Sequence, residues 1–149
     1  MRPEETFDFQ IRKGWISLSK MYNELVQPHG ITTSVGFALL NIDVKKGTPS
    51  TALGPKMGME PTSLSRMLKS MEQQGLVFKE ANPEDKRSVL IKLTDEGIHK
   101  RDLSREAVIR FNQAVFDKVG SAESEKFFET LEKIQSVSRA MRETKEELL

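Results

Sequence analysis

The sequence predicts a mainly α-helical fold that is interrupted by one β-hairpin. Apolar residues recur at spacings of three and four along most of the chain, which is the period of a helix. Short runs rich in branched side chains replace that pattern only between residues 76 and 93. The chain has 149 residues, 37% hydrophobic and 30% charged, a composition typical of a globular protein with a buried core.

The first helix is predicted over residues 5 to 29, and it ends at Pro28-His29-Gly30. Its apolar positions share one face: Ile11, Trp15, Leu18, Tyr22, Leu25 and His29. A second helix is predicted from roughly 33 to 46, capped by the hydroxyl of Thr32 or Thr33. It is apolar on nearly every side, which indicates a buried helix.

Two short helices are expected next. Thr48-Pro49 is expected to open the third helix, with a capping hydroxyl and a proline in the first turn. Pro55 lies inside this helix and predicts a short or kinked element that ends near Met57-Gly58. Pro61 is expected to open the fourth helix, which ends at Gln74-Gly75.

A hairpin and two long helices complete the predicted order. Residues 76–79 and 88–93 predict two strands joined by a polar tip that contains proline. Thr94 is expected to cap a fifth helix that runs to about Val119. Gly120-Ser121 then separates it from a last helix that continues to the C-terminus.

Composition excludes several classes of function. The sequence contains no cysteine, which excludes disulfides, thiolate metal sites and thiol redox sensing. Its only histidines are His29 and His99, and no glycine-rich phosphate loop occurs, so we expect no enzyme activity, metal or cofactor. Neither a membrane span nor a secretory signal is recognisable, and a cytoplasmic location is expected by exclusion. The net charge of +1 does not by itself indicate a nucleic-acid partner.

The order of elements around Gly58 indicates DNA binding. Two short helices joined by a tight turn and followed by a hairpin form a winged helix-turn-helix, whose second helix enters the major groove. Arg66 is predicted to read a base and Lys69 to contact phosphate, and the basic hairpin tip is predicted to reach the adjacent minor groove. The candidate DNA-binding residues are Thr62, Ser63, Ser65, Arg66, Lys69, Ser70, Lys86 and Arg87.

Two segments carry a family resemblance. Residues 53–77 resemble the helix-turn-helix of MarR-family (multiple antibiotic resistance regulator) transcription factors, and residues 85–97 (DKRSVLIKLTDEG) resemble that family's wing. The resemblance implies an obligate homodimer on a pseudo-palindromic operator, with interlocking N- and C-terminal helices. It also implies that Asp85 pairs with Arg87. Pro55 replaces an ordinary helix former, and Lys79 stands where an arginine is common.

The resemblance also implies a division into a dimerisation helix (1–32), a winged DNA-binding domain (33–95) and C-terminal dimerisation helices (96–149). It implies a repressor controlled by an aromatic or other amphipathic effector in a cleft near the first two helices. The candidate effector-binding residues are Trp15, Tyr22, His29 and Phe37, although aromatic residues at helical spacing are more often core. The apolar terminal helices fit an alternative equally well: an all-α dimeric interaction protein that does not bind DNA.

Overall fold

The computed structural model describes residues 2 to 144 and divides into two compact units, one ending at Val108 and one starting at Ile109. The elements are α1 (Phe7–Val26), α2 (Thr33–Asn41), β1 (Thr48–Pro49), α3 (Ser50–Met57), α4 (Pro61–Gln73), β2 (Val77–Ala81), β3 (Val89–Leu93), α5 (Asp95–Val119) and α6 (Ser121–Thr144). The predicted mainly helical, winged fold is confirmed.

The first helix is slightly shorter than the predicted 5–29, because α1 covers Phe7–Val26 and is flanked by single 3-10 turns at Pro3–Glu5 and Gln27–His29. Gly30 ends it in the left-handed conformation at φ 71°. The side chain of Asn23 joins α1 to α2, because its Oδ1 accepts the backbone N–H and the hydroxyl of Thr33 at 2.9 and 2.7 Å. The Thr32 hydroxyl caps α2 by accepting the N–H of Val35 at 3.2 Å.

The prediction that α2 continues to residue 46 is wrong, because the helix ends at Asn41. Ile42 is extended and 1% exposed, so it completes the apolar pattern of the core without being helical. The Asp43 carboxylate then accepts the backbone N–H groups of Lys46 and Lys45 at 2.7 and 2.9 Å and closes a turn.

The prediction that Thr48-Pro49 opens the third helix is also wrong. These residues form β1, which pairs antiparallel with β3 through Thr48 opposite Ile91 and Pro49 opposite Leu90. The result is a three-stranded sheet in the order β1-β3-β2. The Thr48 hydroxyl accepts the N–H of Asp43 at 2.9 Å and donates to the Asn41 carbonyl at 3.3 Å, so it holds the preceding turn.

The core of the first unit lies between α1–α4 and the sheet. Its largest fully buried side chains come from α2, the segment after it, α3, α4 and β3: Leu39, Ile42, Leu53, Met71 and Ile91. Burying such side chains contributes roughly 1.5–3 kcal/mol each relative to exposure. This packing fixes α3 and α4 against the wing.

Thr94 joins the sheet to α5, as predicted. Its hydroxyl accepts the N–H of Gly97 at 3.0 Å and donates to the carbonyl of Gly75 at 2.5 Å. A Cβ on Gly97 would lie 2.0 Å from the carbonyl oxygen of Leu76. Glycine is required here because α5 begins directly against the backbone that leaves α4.

The second unit contains the end of α5 and all of α6, joined at Gly120, whose φ is 84°. The Ser124 hydroxyl donates to the Gly120 carbonyl at 2.7 Å. The ring centroid of Phe128 lies 6.5 Å from that of Phe116 and 5.7 Å from that of Phe127. α6 is described to Thr144, and the predicted continuation to the C-terminus lies outside the described residues. None of the helices described has the length and apolar character that a bilayer crossing requires.

Candidate nucleic-acid interface

The turn between α3 and α4 depends on close backbone approach. The N–H of Met59 donates to the Gly54 carbonyl at 3.0 Å, and Gly58 turns the chain with φ 62°. A Cβ on Gly54 would lie 3.2 Å from the Met59 carbonyl oxygen, so alanine there would require the turn to shift by a few tenths of an ångström. α3 ends at Met57, where the sequence predicted its end, although Pro55 lies inside it.

α4 presents one apolar and one polar side. Leu64, Leu68 and Met71 are buried in the core. The six predicted DNA-binding residues of this helix are all exposed: Thr62, Ser63, Ser65, Arg66, Lys69 and Ser70. The Ser70 hydroxyl accepts a hydrogen bond from the Nε2 of Gln74 at 3.0 Å. The side chains of the other five make no hydrogen bond to the described residues.

A buried hydrogen bond shapes the wing loop between β2 and β3. Asn82 and Ser88 are 9% and 6% exposed, and the Asn82 Nδ2 donates to the Ser88 hydroxyl at 2.9 Å across the base of the loop. The Asn82 Oδ1 also accepts the N–H of Glu84 at 3.1 Å. Lys86 and Arg87 are exposed beyond this closure, so the loop projects its two cations outward.

The predicted pairing of Asp85 with Arg87 takes a different form. The Asp85 Oδ1 accepts the backbone N–H of Arg87 at 2.9 Å, and no ion pair joins the two side chains in the part of the chain described. The carboxylate therefore fixes the loop backbone and leaves the guanidinium free to meet a ligand.

The Asn82–Ser88 hydrogen bond was not predicted. Asn followed by Pro at 82–83 is a signal for a turn. That the amide is buried and finds the Ser88 hydroxyl depends on the register of β2 against β3, which pairs Ala81 with Val89. Local sequence does not reveal this register.

Ion pairs distinguish two groups of cations in this region. Lys79 of β2 lies 3.5 Å from the Glu72 carboxylate of α4, and Lys92 of β3 lies 2.5 Å from the Glu80 carboxylate of β2, so both cations are already paired. By contrast, no carboxylate of the described residues lies within 4.0 Å of the cationic groups on the outer surface of α4 and at the wing tip: Arg66, Lys69, Lys86 and Arg87. These four cations are available to phosphate and base edges.

The candidate effector residues are only partly brought together. The Phe37 ring contacts Trp15 and Tyr22, with centroids 5.8 and 6.5 Å apart. Tyr22 and Phe37 line a cavity of about 20 Å³, and burial raises the pKa of the Tyr22 phenol. His29 is exposed and does not line this cavity, and its backbone carbonyl accepts a hydrogen bond from the Lys100 ammonium.

No group of three or more metal-ligating side chains occurs among residues 2 to 144.

Comparison with known proteins gives consistent matches. A family model described as the MarR family matches residues 31–89. The organic hydroperoxide resistance transcriptional regulator of Bacillus subtilis is 33% identical over 97 residues, or 65% of this chain and 66% of the regulator, slightly under two thirds of its length. A putative transcriptional regulatory protein for the hcr operon of Thauera aromatica is 23% identical over 116 residues, covering 77% of this chain and 70% of that protein.

Among solved structures, the S. aureus MepR–DNA complex has a TM-score of 0.81 at 18% identity, covering 89% of this chain and 98% of that one. At these identities, the structural matches establish the fold.

Proposed function

We propose that the chain is a sequence-specific, DNA-binding transcriptional regulator of the MarR family, because the MarR family model matches residues 31–89 and the Bacillus subtilis regulator is 33% identical over 97 residues. It acts as a ligand-responsive repressor that binds a pseudo-palindromic operator as a homodimer. One observation carries the proposal: the outer surface of α4 and the wing tip present four cations with no described carboxylate partner, while neighbouring Lys79 and Lys92 are paired.

The roles of these side chains follow from their chemistry. α4 lies in the major groove, where the Arg66 guanidinium bonds a guanine through two hydrogen bonds. Lys69 contacts phosphate as a point charge, and the short hydroxyls near the start of α4 bond phosphates or base edges. Lys86 and Arg87 enter the neighbouring minor groove from the wing tip.

The homodimer is proposed from exposed apolar side chains on the terminal helices. On α1 these include Phe7, Ile11, Trp15 and Ile16, and on α6 they include Phe127, Phe128, Val137 and Met141. Apolar surface of this kind indicates an association interface. In this arrangement residues 1–32 and 96–149 dimerise, and residues 33–95 contact DNA.

The effector is proposed to bind near Trp15, Tyr22 and Phe37. A solved neighbour, CouR from Rhodococcus jostii, is bound to p-coumaroyl-CoA; its TM-score is 0.77 at 20% identity, and the match covers 90% of this chain and 94% of that one. The cavity beside Tyr22 and Phe37 has room for about one water molecule, so an aromatic ligand must displace α1 from α2. Such a ligand weakens operator binding by favouring a dimer with differently spaced recognition helices.

The signal is not thiol oxidation, because the sequence contains no cysteine. The curated relatives are transcriptional regulators. We therefore propose that the chain regulates transcription and catalyses no reaction. We propose that it does so in the cytoplasm, where its operator lies.

The test is selection of bound sequences from a random DNA duplex pool, followed by affinity measurements across a salt series. We expect a palindrome with half-sites about one helical turn, or roughly 34 Å, apart. Log affinity falls linearly with log salt as bound counterions are released. A folded dimer that enriches no sequence, before and after refolding to remove any bound ligand, contradicts the proposal and supports the interaction protein without DNA binding.

A further inference from the structure

A groove of about 520 Å³ opens beside the end of α2, and it shares only Leu40 with the lining of the cavity beside Tyr22 and Phe37. Its lining includes Asn41 at the end of α2, Asp43, Lys45 and Lys46 in the turn after it, Lys56 on α3, and Arg101 in the first half of α5. The volume lies in the range of small-molecule sites, and all its lining belongs to the first compact unit.

The charges of this groove are one-sided. Four cationic side chains face one carboxylate, that of Asp43, which already accepts the N–H groups of Lys46 and Lys45. No carboxylate of residues 2 to 144 lies within 4.0 Å of the ammonium groups of Lys45, Lys46 or Lys56. Cations gathered around a concave surface concentrate anions there.

Arg101 provides a second, independent observation. Its side chain is 22% exposed, and its Nε is buried with no hydrogen-bond partner within the described part of the chain. One guanidinium nitrogen lies 3.6 Å from the Asp102 carboxylate. A buried, unsatisfied donor is costly, and a small rotation of the guanidinium toward the groove would let an oxyanion satisfy it.

The groove lies away from the proposed DNA contacts. Thr48 pairs with Ile91 and Pro49 with Leu90, so the chain before Thr48 runs beside the end of β3 that leads into α5. Consistent with this, a Cβ on Gly47 would lie 2.7 Å from the Cγ of Lys92. The wing loop leaves the opposite end of β3, at Val89.

We propose that this groove is a binding site for a small anion with phosphate or carboxylate oxygens. The fork of Arg101 and the ammonium of Lys56 bind the oxygens, and Lys45 and Lys46 add charge at the rim. The inference does not depend on the proposed function, because none of these four cationic side chains is among those assigned to DNA contact.

Calorimetric titration of the full-length protein with inorganic phosphate and, separately, with citrate tests the site at constant ionic strength. We expect saturable binding of one anion per protomer, weakened about tenfold by Lys56→Gln and by the double change Lys45→Gln and Lys46→Gln. Lys126→Gln on exposed α6 removes one positive charge, as Lys56→Gln does, and should change the affinity by less than about twofold. Preference for phosphate assigns a phosphate-bearing ligand, and preference for citrate assigns a carboxylate.

Three outcomes overturn the proposal. Equal weakening by Lys126→Gln, or titrations that do not saturate, would reduce the effect to general screening of a charged surface. A flatter salt dependence of DNA binding in the Lys45 and Lys46 double variant would assign the groove to the DNA backbone. Arg101→Lys gives a further check: it keeps the charge but loses the fork, so weaker binding in a folded variant supports recognition by the guanidinium.

Discussion

Gly97 shows how one missing side chain fixes the junction between the wing and α5. Because a Cβ would lie 2.0 Å from the Leu76 carbonyl oxygen, no rotamer change can relieve the contact, and the backbone itself must move. Thr94 holds both sides of this junction through its hydroxyl. The Leu-Thr-x-x-Gly sequence at 93–97 therefore has a structural explanation.

We predict that Gly97→Ala lowers the free energy of unfolding by about 3 kcal/mol or more, because overpacking against rigid backbone is not relieved locally. Gly14→Ala is the matched control: Gly14 lies within α1, and a Cβ added there would have no neighbouring atom within 4 Å. Alanine should stabilise that helix by roughly 0.5–1 kcal/mol. Chemical denaturation of both variants measures the difference. Equal stability would contradict this account of the junction.

Alanine substitutions of Arg66 and Lys69 are predicted to change operator binding in different ways. Arg66→Ala should cost roughly 1–3 kcal/mol of operator binding and relax the preference at one base position in each half-site. Lys69→Ala should weaken binding to all sequences alike and flatten the salt slope by about one unit for each phosphate that is no longer neutralised. Competition binding against single-base operator variants separates the two. Unchanged base preference in Arg66→Ala would remove its assignment to base readout.

At the scale of single elements, the wing depends on the Asn82–Ser88 hydrogen bond. Asn82→Ala leaves the buried Ser88 hydroxyl without this partner and should cost about 1–3 kcal/mol of stability. Amide exchange should quicken across residues 82–88, and operator affinity should fall because Lys86 and Arg87 lose their fixed position. Glu84→Ala, at an exposed position of the same loop, serves as the control. Unaltered exchange in Asn82→Ala would show that the strands alone hold the wing.

The turn after α2 should respond to acid. The backbone N–H groups of Lys46 and Lys45 hold the pKa of Asp43 below its ordinary value of 3.8. A lowered folded-state pKa means that this stabilisation is present above the ordinary value and is lost as the pH falls through the lowered folded-state value. NMR shifts of the Lys45 and Lys46 amides should follow this titration and lose it in Asp43→Asn. Persistence of the titration in that variant would assign it to another group.

The elements that could be predicted from sequence are those with a long run of helical periodicity or with a capping residue nearby in the sequence. The extent of α4 from Pro61 and the cap at Thr94 follow from nearby residues, and both agree with the structure. Thr48-Pro49 has the local features of a helix start, yet it forms β1, because pairing with Ile91 and Leu90 across the fold outweighs them. The prediction that Ile42 is part of α2 is wrong for a similar reason, since a buried apolar residue fits a helix or an extended segment equally well.

Across the whole molecule, dimerisation is predicted to depend on the second compact unit. Removing residues from Ser121 onward deletes the exposed Phe127, Phe128, Val137 and Met141. We expect the truncated chain to be monomeric by sedimentation and to lose operator binding, because one winged unit reads only one half-site. The aromatic contacts of Phe128 lie within the removed helix and the end of α5. A truncated monomer that binds the operator as tightly as the full chain would refute this architecture.

The two-residue strand β1 also limits the pairing of a further strand, from another molecule, at this edge of the sheet. Exposed strand edges are templates on which other chains polymerise. Here one edge of the sheet is Thr48–Pro49, and proline has no N–H to offer, so a foreign strand would find at most one donor there. When several copies bind adjacent stretches of DNA, their sheets are therefore poor partners for intermolecular strand pairing at the β1 edge, and a continuous β-fibre does not grow from this side.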